Sequence, residues 1–310
     1  MAQYLVTGGA GFIGSHVAEA LLRDGHRVRV LDNLSTGKRE NIPSGGELVE
    51  ADFTDLEAIR PAFEGIDGVF HIGALPRVVL SIEQPVETAK ANIMGTLNVL
   101  VAARDAKVKR VVYSASSSAY GTQDRLPLTL DMQPNPLNPY ALQKYVGELF
   151  CKQFSELYGM ETVSLRYFNV YGPRMADEGA YVTVIAIFVR ERKAGETLLI
   201  DGDGEQTRDF THVTDVARAN LLAMSSSNVG HGEVLNIGSG ERHSINEIAK
   251  IVGGQIAYRV SPRGKGESKD TLADISLTRE RLGWEPQVPF YQGLADLLTS
   301  LGDGSQSRSF

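Results

Sequence analysis

Residues 7–14 read Thr7-Gly8-Gly9-Ala10-Gly11-Phe12-Ile13-Gly14 and follow directly on the apolar run Tyr4-Leu5-Val6. This is a Gly-x-x-Gly-x-x-Gly loop at the exit of a strand and the entry of a helix. Gly8 permits a tight turn, Gly11 lets the backbone approach a pyrophosphate, and Gly14 lets the helix sit close to the strand. The helix N-terminus, at Phe12 and Ile13, offers N–H donors and a positive dipole end to the phosphates. The segment therefore predicts a dinucleotide on the first turn of the chain.

Asp32 closes a second apolar strand, Val28-Arg29-Val30-Leu31, about 20 residues past the loop as this fingerprint expects. A carboxylate there accepts both hydroxyls of an adenosine ribose and repels a 2′-phosphate, which favours NAD over NADP. The plainer reading is an Asp that caps the next turn, with Asn33 and Ser35 nearby. Asp52 ends a third strand and precedes Phe53; it either accepts from the adenine amino group or caps a helix that runs from Asp55 onward.

With 310 residues the chain is long enough for one large or two modest domains. A net charge of −7 with no basic block argues against nucleic acid as a partner. No apolar run approaches the roughly 20 residues that span a bilayer. The N-terminus enters a strand at once, without room for a signal peptide, so a cytoplasmic protein is expected. The single cysteine, Cys151, excludes an internal disulfide and a cysteine-based zinc site, and no metal is expected. Cys151 reads as a small buried hydrophobe on a helix.

Strand-like runs near 3–7, 27–32, 47–52, 68–73, 110–116 and 162–168 alternate with helical patterns at 12–24, 55–64, 87–106 and 139–158. Such alternation predicts an α/β fold with a Rossmann-like, doubly wound parallel sheet. Past residue 170 the spacing loosens into a smaller, mixed α/β C-terminal substrate domain, with helices near 180–195, 214–225, 244–252, 276–282 and 291–300. The expected division is a cofactor domain over 1–170, to whose sheet the chain returns near 209–216 and 233–238. The substrate domain takes 171–208 and 239–301, and a disordered tail takes 302–310.

Ligands of such sheets lie beyond the carboxyl ends of the strands. Three strand ends carry polar residues there: Ser114 to Gly121, the region of Tyr140, and Phe168-Asn169. In Asn138-Pro139-Tyr140-Ala141-Leu142-Gln143-Lys144, Asn138 suits an N-cap and Pro139 the first helical position. Tyr140 and Lys144 then share one helical face. An ammonium beside a phenol favours the phenolate, and a cationic nicotinamide ring works the same way. A phenol that ordinarily titrates near 10 thereby becomes a base around neutrality. Tyr and Lys four apart are common on helices; the glycine loop and the run Ser114-Ala115-Ser116-Ser117-Ser118 give this pair its weight.

Together, Tyr-x-x-x-Lys, the upstream serines and the glycine loop resemble the extended short-chain dehydrogenase/reductase superfamily, within it the NAD-dependent epimerase/dehydratase family. The resemblance extends through His71-Ile72-Gly73-Ala74, Asn92 in Asn-Ile-Met-Gly-Thr, Arg166-Tyr167-Phe168-Asn169-Val170-Tyr171-Gly172-Pro173, Arg208-Asp209-Phe210-Thr211-His212 and Leu235-Asn236-Ile237-Gly238. The closest match is the UDP-hexose 4-epimerase branch. The resemblance implies that Ser116, Tyr140 and Lys144 are catalytic. It implies that Asn33, Phe53, Ile72, Gly73, Ala74, Asn92 and Ser114 help to hold NAD, and that Phe168 lies on the nicotinamide side. Ser117, Asn169, Val184, Arg208 and Arg263 would hold a UDP-sugar. It implies a homodimer through the helices at 87–106 and 139–158.

Sugar dehydratases of this superfamily carry an Asp-Glu pair after the catalytic hydroxyl, and decarboxylases a Glu. Ser117 and Ser118 stand there instead, so the expected chemistry stops at oxidation and re-reduction of one carbon. Arg263 in Pro262-Arg263-Gly264-Lys265-Gly266-Glu267 is displaced by one residue from the usual pattern. Thr271 falls where a bulky Tyr would exclude an N-acetyl group, so an N-acetylhexosamine is expected to fit; the plainer reading is a residue that starts a strand. Arg77 is a cation at the pocket mouth, open to a phosphate or a sugar carboxylate. The other readings are an epimerase for UDP-glucuronate or a dTDP-hexose, an NADPH-dependent reductase, and a non-catalytic NAD-binding regulator.

Overall fold

Near-continuous apolar runs let each central strand bury both of its faces. In the computed structural model, which describes residues 1–76, 78–175, 183–260 and 268–300, seven strands form one parallel sheet. They are β1 (Gln3–Thr7), β2 (Arg27–Asp32), β3 (Gly46–Glu50), β4 (Gly68–His71), β5 (Arg110–Ser116), β6 (Glu161–Tyr167) and, much later, β11 (His231–Ile237). Their order is β3-β2-β1-β4-β5-β6-β11. The order reverses between β1 and β4, and that switch point opens the crevice in which such sheets bind ligands.

Val6, Val30, Phe70 and Val112 point to one face of the sheet, where they meet Val17 and Leu21 of α1 (Phe12–Arg23) and Val216 of α8 (Val213–Ser225). Leu5, Leu31, Val69, Val111 and Tyr113 point to the other, against Val99 and Leu100 of α5 (Thr96–Asp105) and Cys151 and Phe154 of α6 (Pro139–Tyr158). Cys151 is buried and free, and burial pushes its thiol up to about 12.

The remaining elements are short. The pair β7 (Val170–Tyr171) and β10 (Thr211–His212) is parallel, as is β8 (Leu198–Asp201) with β13 (Ile256–Arg259). The pair β9 (Thr207–Arg208) and β12 (His243–Ser244) is antiparallel. A third core joins Ile185 and Phe188 of α7 (Val184–Lys193), Ile248 and Val252 of α9 (Ile245–Val252), and Phe290 and Leu294 of α11 (Phe290–Ser300). The helix α10 (Ser276–Leu282) returns to pack on β11 and α8.

Several elements differ from the sequence reading. Near 209–216 the chain does not rejoin the large sheet: Thr211 and His212 pair with Val170 and Tyr171, and His212 then caps α8 through Thr214. Only the later return, at β11, adds a strand. The helix over 55–64 is α-helical only in α2 (Leu56–Ile59). It tightens to a 3₁₀ turn over Arg60–Phe63, where Pro61 has no amide to donate. An unforeseen helix, α3 (Val78–Glu83), precedes α4 (Pro85–Ala89), and the stretch expected at 87–106 widens into a π turn over Lys90–Gly95 before α5. Phe53 packs against that turn: a Cβ on Gly95 would lie 2.3 Å from its ring. The tail from residue 302, and the returning segment that carries Arg263, lie outside the described residues.

The catalytic-candidate helix α6 is locked to the sheet by a buried ion pair. Arg166 of β6 donates to both oxygens of Glu148, at 2.9 and 2.7 Å, and stacks over Tyr120 at 4.4 Å. Burial pushes the Glu148 carboxyl up, while Arg166 pulls it back. Arg166→Met strands that carboxylate, and a loss of about 3–5 kcal/mol is expected in urea unfolding. Combining it with Glu148→Leu is expected to recover most of the loss, since a matched apolar pair carries no stranded charge.

Candidate active site

The glycine loop is built by close approach. Gly8 has φ +66°, and a Cβ there would sit 2.6 Å from Cα of Gly73 on the neighbouring strand end. A Cβ on Gly14 would sit 2.2 Å from the Gly8 carbonyl oxygen, so only glycine lets α1 start here. No side chain caps the first turn of α1. Gly8, Gly11, Phe12, Ile13 and Gly14 line one end of a continuous cleft of about 1160 Å³. Its uncapped amides and glycine floor fit a pyrophosphate.

Asp32 is 7 % exposed and lines the same cleft. Its Oδ2 accepts from the Ala10 amide at 3.0 Å and its Oδ1 from the Leu34 amide at 2.8 Å. Each oxygen has further acceptor capacity beyond these bonds, which fits a ribose diol. Asn33 donates to Asp52 Oδ2 at 3.1 Å, and Asp52 Oδ1 accepts from Thr54 at 2.8 Å. Burial opposes ionisation of Asp52, but Thr54, Asn33 and Lys90 outweigh it and hold the carboxyl below its ordinary range. Asp55, not Asp52, caps α2. Asp52, Phe53, Ile72, Gly73 and Ala74 all face the cleft.

At the centre, Asn138 caps α6 by accepting from Ala141 at 2.9 Å. The Tyr140 amide donates to Ser81 Oγ at 3.0 Å, which ties α3 to the head of α6. Tyr140, Lys144, Ser114, Ser116 and Ser117 converge on the cleft. Ser116 Oγ lies 2.8 Å from Ser118 Oγ and accepts from the Ser118 amide at 3.2 Å. Lys144 is 3 % exposed, donates to the Ser114 carbonyl at 2.6 Å, and sits 4.9 Å from the centre of the Tyr113 ring. Burial pulls its ammonium down to about 7, against Cys151 and Glu148.

At the far end stand Asn169, Val184, Arg208 and Thr271. Asn169, at φ +25°, donates to the Asp209 carbonyl at 2.8 Å and to Thr271 Oγ1 at 3.3 Å. Arg208 donates to the carbonyls of Thr207 and Lys269, at 3.0 and 2.6 Å.

Two expected residues do not reach the cleft. Phe168 is fully buried in the core beside Tyr120; its neighbour Tyr167 borders the cleft, with its hydroxyl turned inward to Asn220 at 3.0 Å. Asn92 is buried 17 residues along from Leu75 and brackets it, accepting from its amide at 2.7 Å and donating to its carbonyl at 3.0 Å. Its amide also donates to Gln143 Oε1 at 2.8 Å, so it braces the loop against α6. Arg77 and Arg263 lie outside the described residues.

Several buried polar parts stand in motifs quoted above, but the sequence assigned no role to their side chains. Asp209, fully buried, accepts from the Ser239, Gly240 and Ala273 amides and so gathers three segments beneath Arg208. A buried relay joins the glycine loop to the π turn. Thr96 Oγ1 donates to the Asn92 carbonyl at 2.8 Å, so it accepts from His71 Nε2–H at 3.0 Å. His71 Nδ1 is then the acceptor for Thr7 Oγ1–H at 2.7 Å, and Thr7 accepts from the Gly73 amide at 3.1 Å. The ring must be neutral for this, and burial with the nearby Lys144 pulls His71 down to about 3. Among the described residues no group of three His, Cys, Asp or Glu side chains is arranged to hold a metal ion, and no helix is long and apolar enough to cross a membrane.

The profile of the NAD dependent epimerase/dehydratase family matches residues 4–238. The chain belongs to this family. Its members are NAD-dependent enzymes, and the glycine floor, Asp32 and the uncapped α1 turn are the parts that fit that cofactor. Among relatives, a putative UDP-glucose 4-epimerase of Methanocaldococcus jannaschii is 40% identical over 297 residues, covering 94% of this chain and 95% of its own. The crystal structure of a Thermotoga maritima UDP-glucose 4-epimerase with UDP-glucose superposes with a TM-score of 0.92 at 37% identity, covering 97% of this chain and 98% of that one. A UDP-N-acetylglucosamine 4-epimerase of Methanobrevibacter ruminantium in complex with UDP-N-acetylmuramic acid gives 0.91 at 34% identity, covering 98% and 99%.

The buried ammonium has a measurable cost. Lys144 keeps its proton in the unfolded chain up to about 10.5 but loses it near 7 when folded. Unfolded molecules therefore bind more protons between those values, and stability rises with pH across that window through this group. In cofactor-free protein, Lys144→Met is expected to stabilise by on the order of 2–4 kcal/mol at about pH 6.5, with a gain that shrinks toward about pH 10, followed by thermal unfolding.

Proposed function

We propose that the protein interconverts the C4 epimers of a UDP-hexose through a transient 4-keto sugar. The observation that carries this reading is the convergence of Tyr140, Lys144 and Ser116 on one cleft whose next two positions are serines rather than acids. Without a carboxylate at 117 or 118, those two positions offer no proton transfer at C5 or C6. Tyr140 takes the proton of the C4 hydroxyl and returns it. Lys144 stabilises the phenolate and reaches the cofactor ribose, and Ser116 shares a hydrogen bond with the sugar oxygen. Bound NAD supplies the acceptor and donor for the hydrogen on that carbon. Inversion requires the keto sugar to present its other face, so the sugar must be held loosely and the nucleotide firmly. Arg208, Asn169 and Val184, at the far end of the cleft, suit the anchoring task, with Arg263 as a further candidate. Binding energy placed on the remote diphosphate leaves the reacting ring free to turn.

Thr271 favours a wider substrate range. Its hydroxyl accepts from the Asp209 amide at 3.1 Å and its small side chain borders the cleft, which leaves room for an N-acetyl group. The relatives include epimerases named for glucose and for N-acetylglucosamine substrates. The reading also includes a two-fold homodimer. Val86 (82 % exposed), Met94, Leu142, Leu149 and Leu157 leave an apolar stripe on α4, the π turn and α6, and Leu142 and Leu149 are seven apart on one helical face.

Incubation with UDP-glucose, UDP-N-acetylglucosamine, UDP-glucuronate and dTDP-glucose, without added cofactor, is expected to yield the C4 epimers of the first two. Tyr140→Phe is expected to cut the rate by about 10²–10⁴ while the protein still retains NAD. Thr271→Tyr is expected to abolish turnover of the N-acetyl substrate and spare the hexose. Turnover of the N-acetyl substrate below about a hundredth of the hexose rate would remove the wider range. In sedimentation the protein is expected to run as a dimer at micromolar concentration, and Leu142→Glu with Leu149→Glu to run as a monomer.

A further inference from the structure

Lys144 carries a charge in a place with little to hold it. One of its three protons goes to the Ser114 carbonyl at 2.6 Å. Among the described residues no carboxylate bonds to it. Glu148, one turn along α6, has both oxygens committed to Arg166 of β6. Cys151, on the same helix, stays a neutral thiol. His71, from β4, is held neutral with its Nε2–H given to Thr96. Tyr140 faces the cleft from the first turn of α6. What remains inside the fold is the face of Tyr113, from β5, at 4.9 Å from Nζ to the ring centre. That is within the roughly 6 Å at which an aromatic quadrupole attracts a cation.

We propose that Tyr113 is a positioning residue for the Lys144 ammonium, whose ring face carries part of that charge and keeps Lys144 protonated where Tyr140 must act as a phenolate. The inference rests on the reading of Tyr140 and Lys144 as the working pair. The ring is fixed from three sides. Its hydroxyl donates to the Lys144 carbonyl at 3.3 Å. His71 is its cross-strand partner in register, with ring centres 5.6 Å apart. Gly147 gives it room, since a Cβ there would lie 2.2 Å from the phenol oxygen. The phenol cannot trade protons with the pair, because burial raises it well above its ordinary value. An aliphatic side chain at this position would leave the ammonium facing hydrocarbon.

The test keeps the ring's shape and drains its charge. In the holoenzyme, phenylalanine and its mono-, di- and trifluorinated forms are placed at position 113, and Lys144 is titrated by NMR of its labelled Cε. Tyr113→Phe is expected to titrate like wild type. Each added fluorine is expected to lower the midpoint, to roughly one pH unit below wild type for the trifluoro ring, with Tyr113→Leu falling alongside. The alkaline limb of kcat is expected to move down in the same order. A midpoint unmoved by fluorination, or moved as far by Tyr113→Phe alone, overturns the proposal, as does a loss of thermal stability with the midpoint unchanged. A wild type that epimerises no UDP-sugar overturns the functional reading instead, and the NMR titration still decides the part played by the ring.

Discussion

A single ammonium held almost out of water sets the terms for the rest of the structure. Lys144 sits between α6 and the end of β5, with the Ser114 carbonyl as its hydrogen-bond acceptor in the fold. Isolated charges are costly to bury, and such groups shed their proton unless something holds it. The fold answers with neutral or self-compensated neighbours: a thiol, a neutral imidazole, and a carboxylate already paired with Arg166. A carboxylate bonded to Lys144 would stabilise its charge more, and none among the described residues does so. The lowered proton affinity of Lys144 follows from a site that keeps its cation only partly compensated.

The sheet's topology then divides the cleft. Beyond β1 and β2, the glycine loop and Asp32 form an end made of backbone amides and one buried carboxylate, rigid because strand registers and glycine contacts define it. Beyond β6 and β11, the opposite end is assembled from short pairs, β7 with β10 and β9 with β12, gathered on buried Asp209. Burial raises the Asp209 carboxyl, while the Ala273 amide, the Ser239 hydroxyl and the Ser239 and Gly240 amides pull it back.

What the sequence disclosed was what depends on local spacing. The glycine loop, Asp32 at a strand end, and Tyr140 four residues before Lys144 each need only their own element to be in place. Positions set by distant contacts were opaque. Phe168 follows Tyr167 at the end of β6, and both side chains pack into the same core, Tyr167 with its hydroxyl on Asn220; the Phe168 amide continues the ladder to Ile237 at 3.0 Å. No count along the chain says that both turn inward. The helix expected at 87–106 hid a π turn over Lys90–Gly95, whose Gly95 packs against Phe53 some 40 residues away in sequence. Tyr113 looked like one more apolar residue of a buried strand. Its distance from a lysine 31 positions later gives it chemistry, and only the fold supplies that distance.

The polar relay ties Asn92 to residues that line the cleft, although Asn92 itself does not reach it. From the Gly73 amide through Thr7, His71 and Thr96 to the Asn92 carbonyl, each hydrogen is assigned by the one before it, which leaves a single tautomer of His71. The Asn92 side chain then grips both backbone groups of Leu75 and reaches Gln143, one residue before Lys144. Gln143 passes the connection on to Thr88 at 3.0 Å. The strand end behind the cofactor loop and the helix that carries Tyr140 and Lys144 are therefore joined by buried bonds that lose strength together if one fails. Within the π turn Asn92 serves two partners: its side chain holds Leu75, while its carbonyl accepts from Thr96. Catalytic alignment in this chain thus rests on buried polar groups that never meet a substrate. Their deletion should act on geometry between the two halves of the site before it acts on affinity for either ligand.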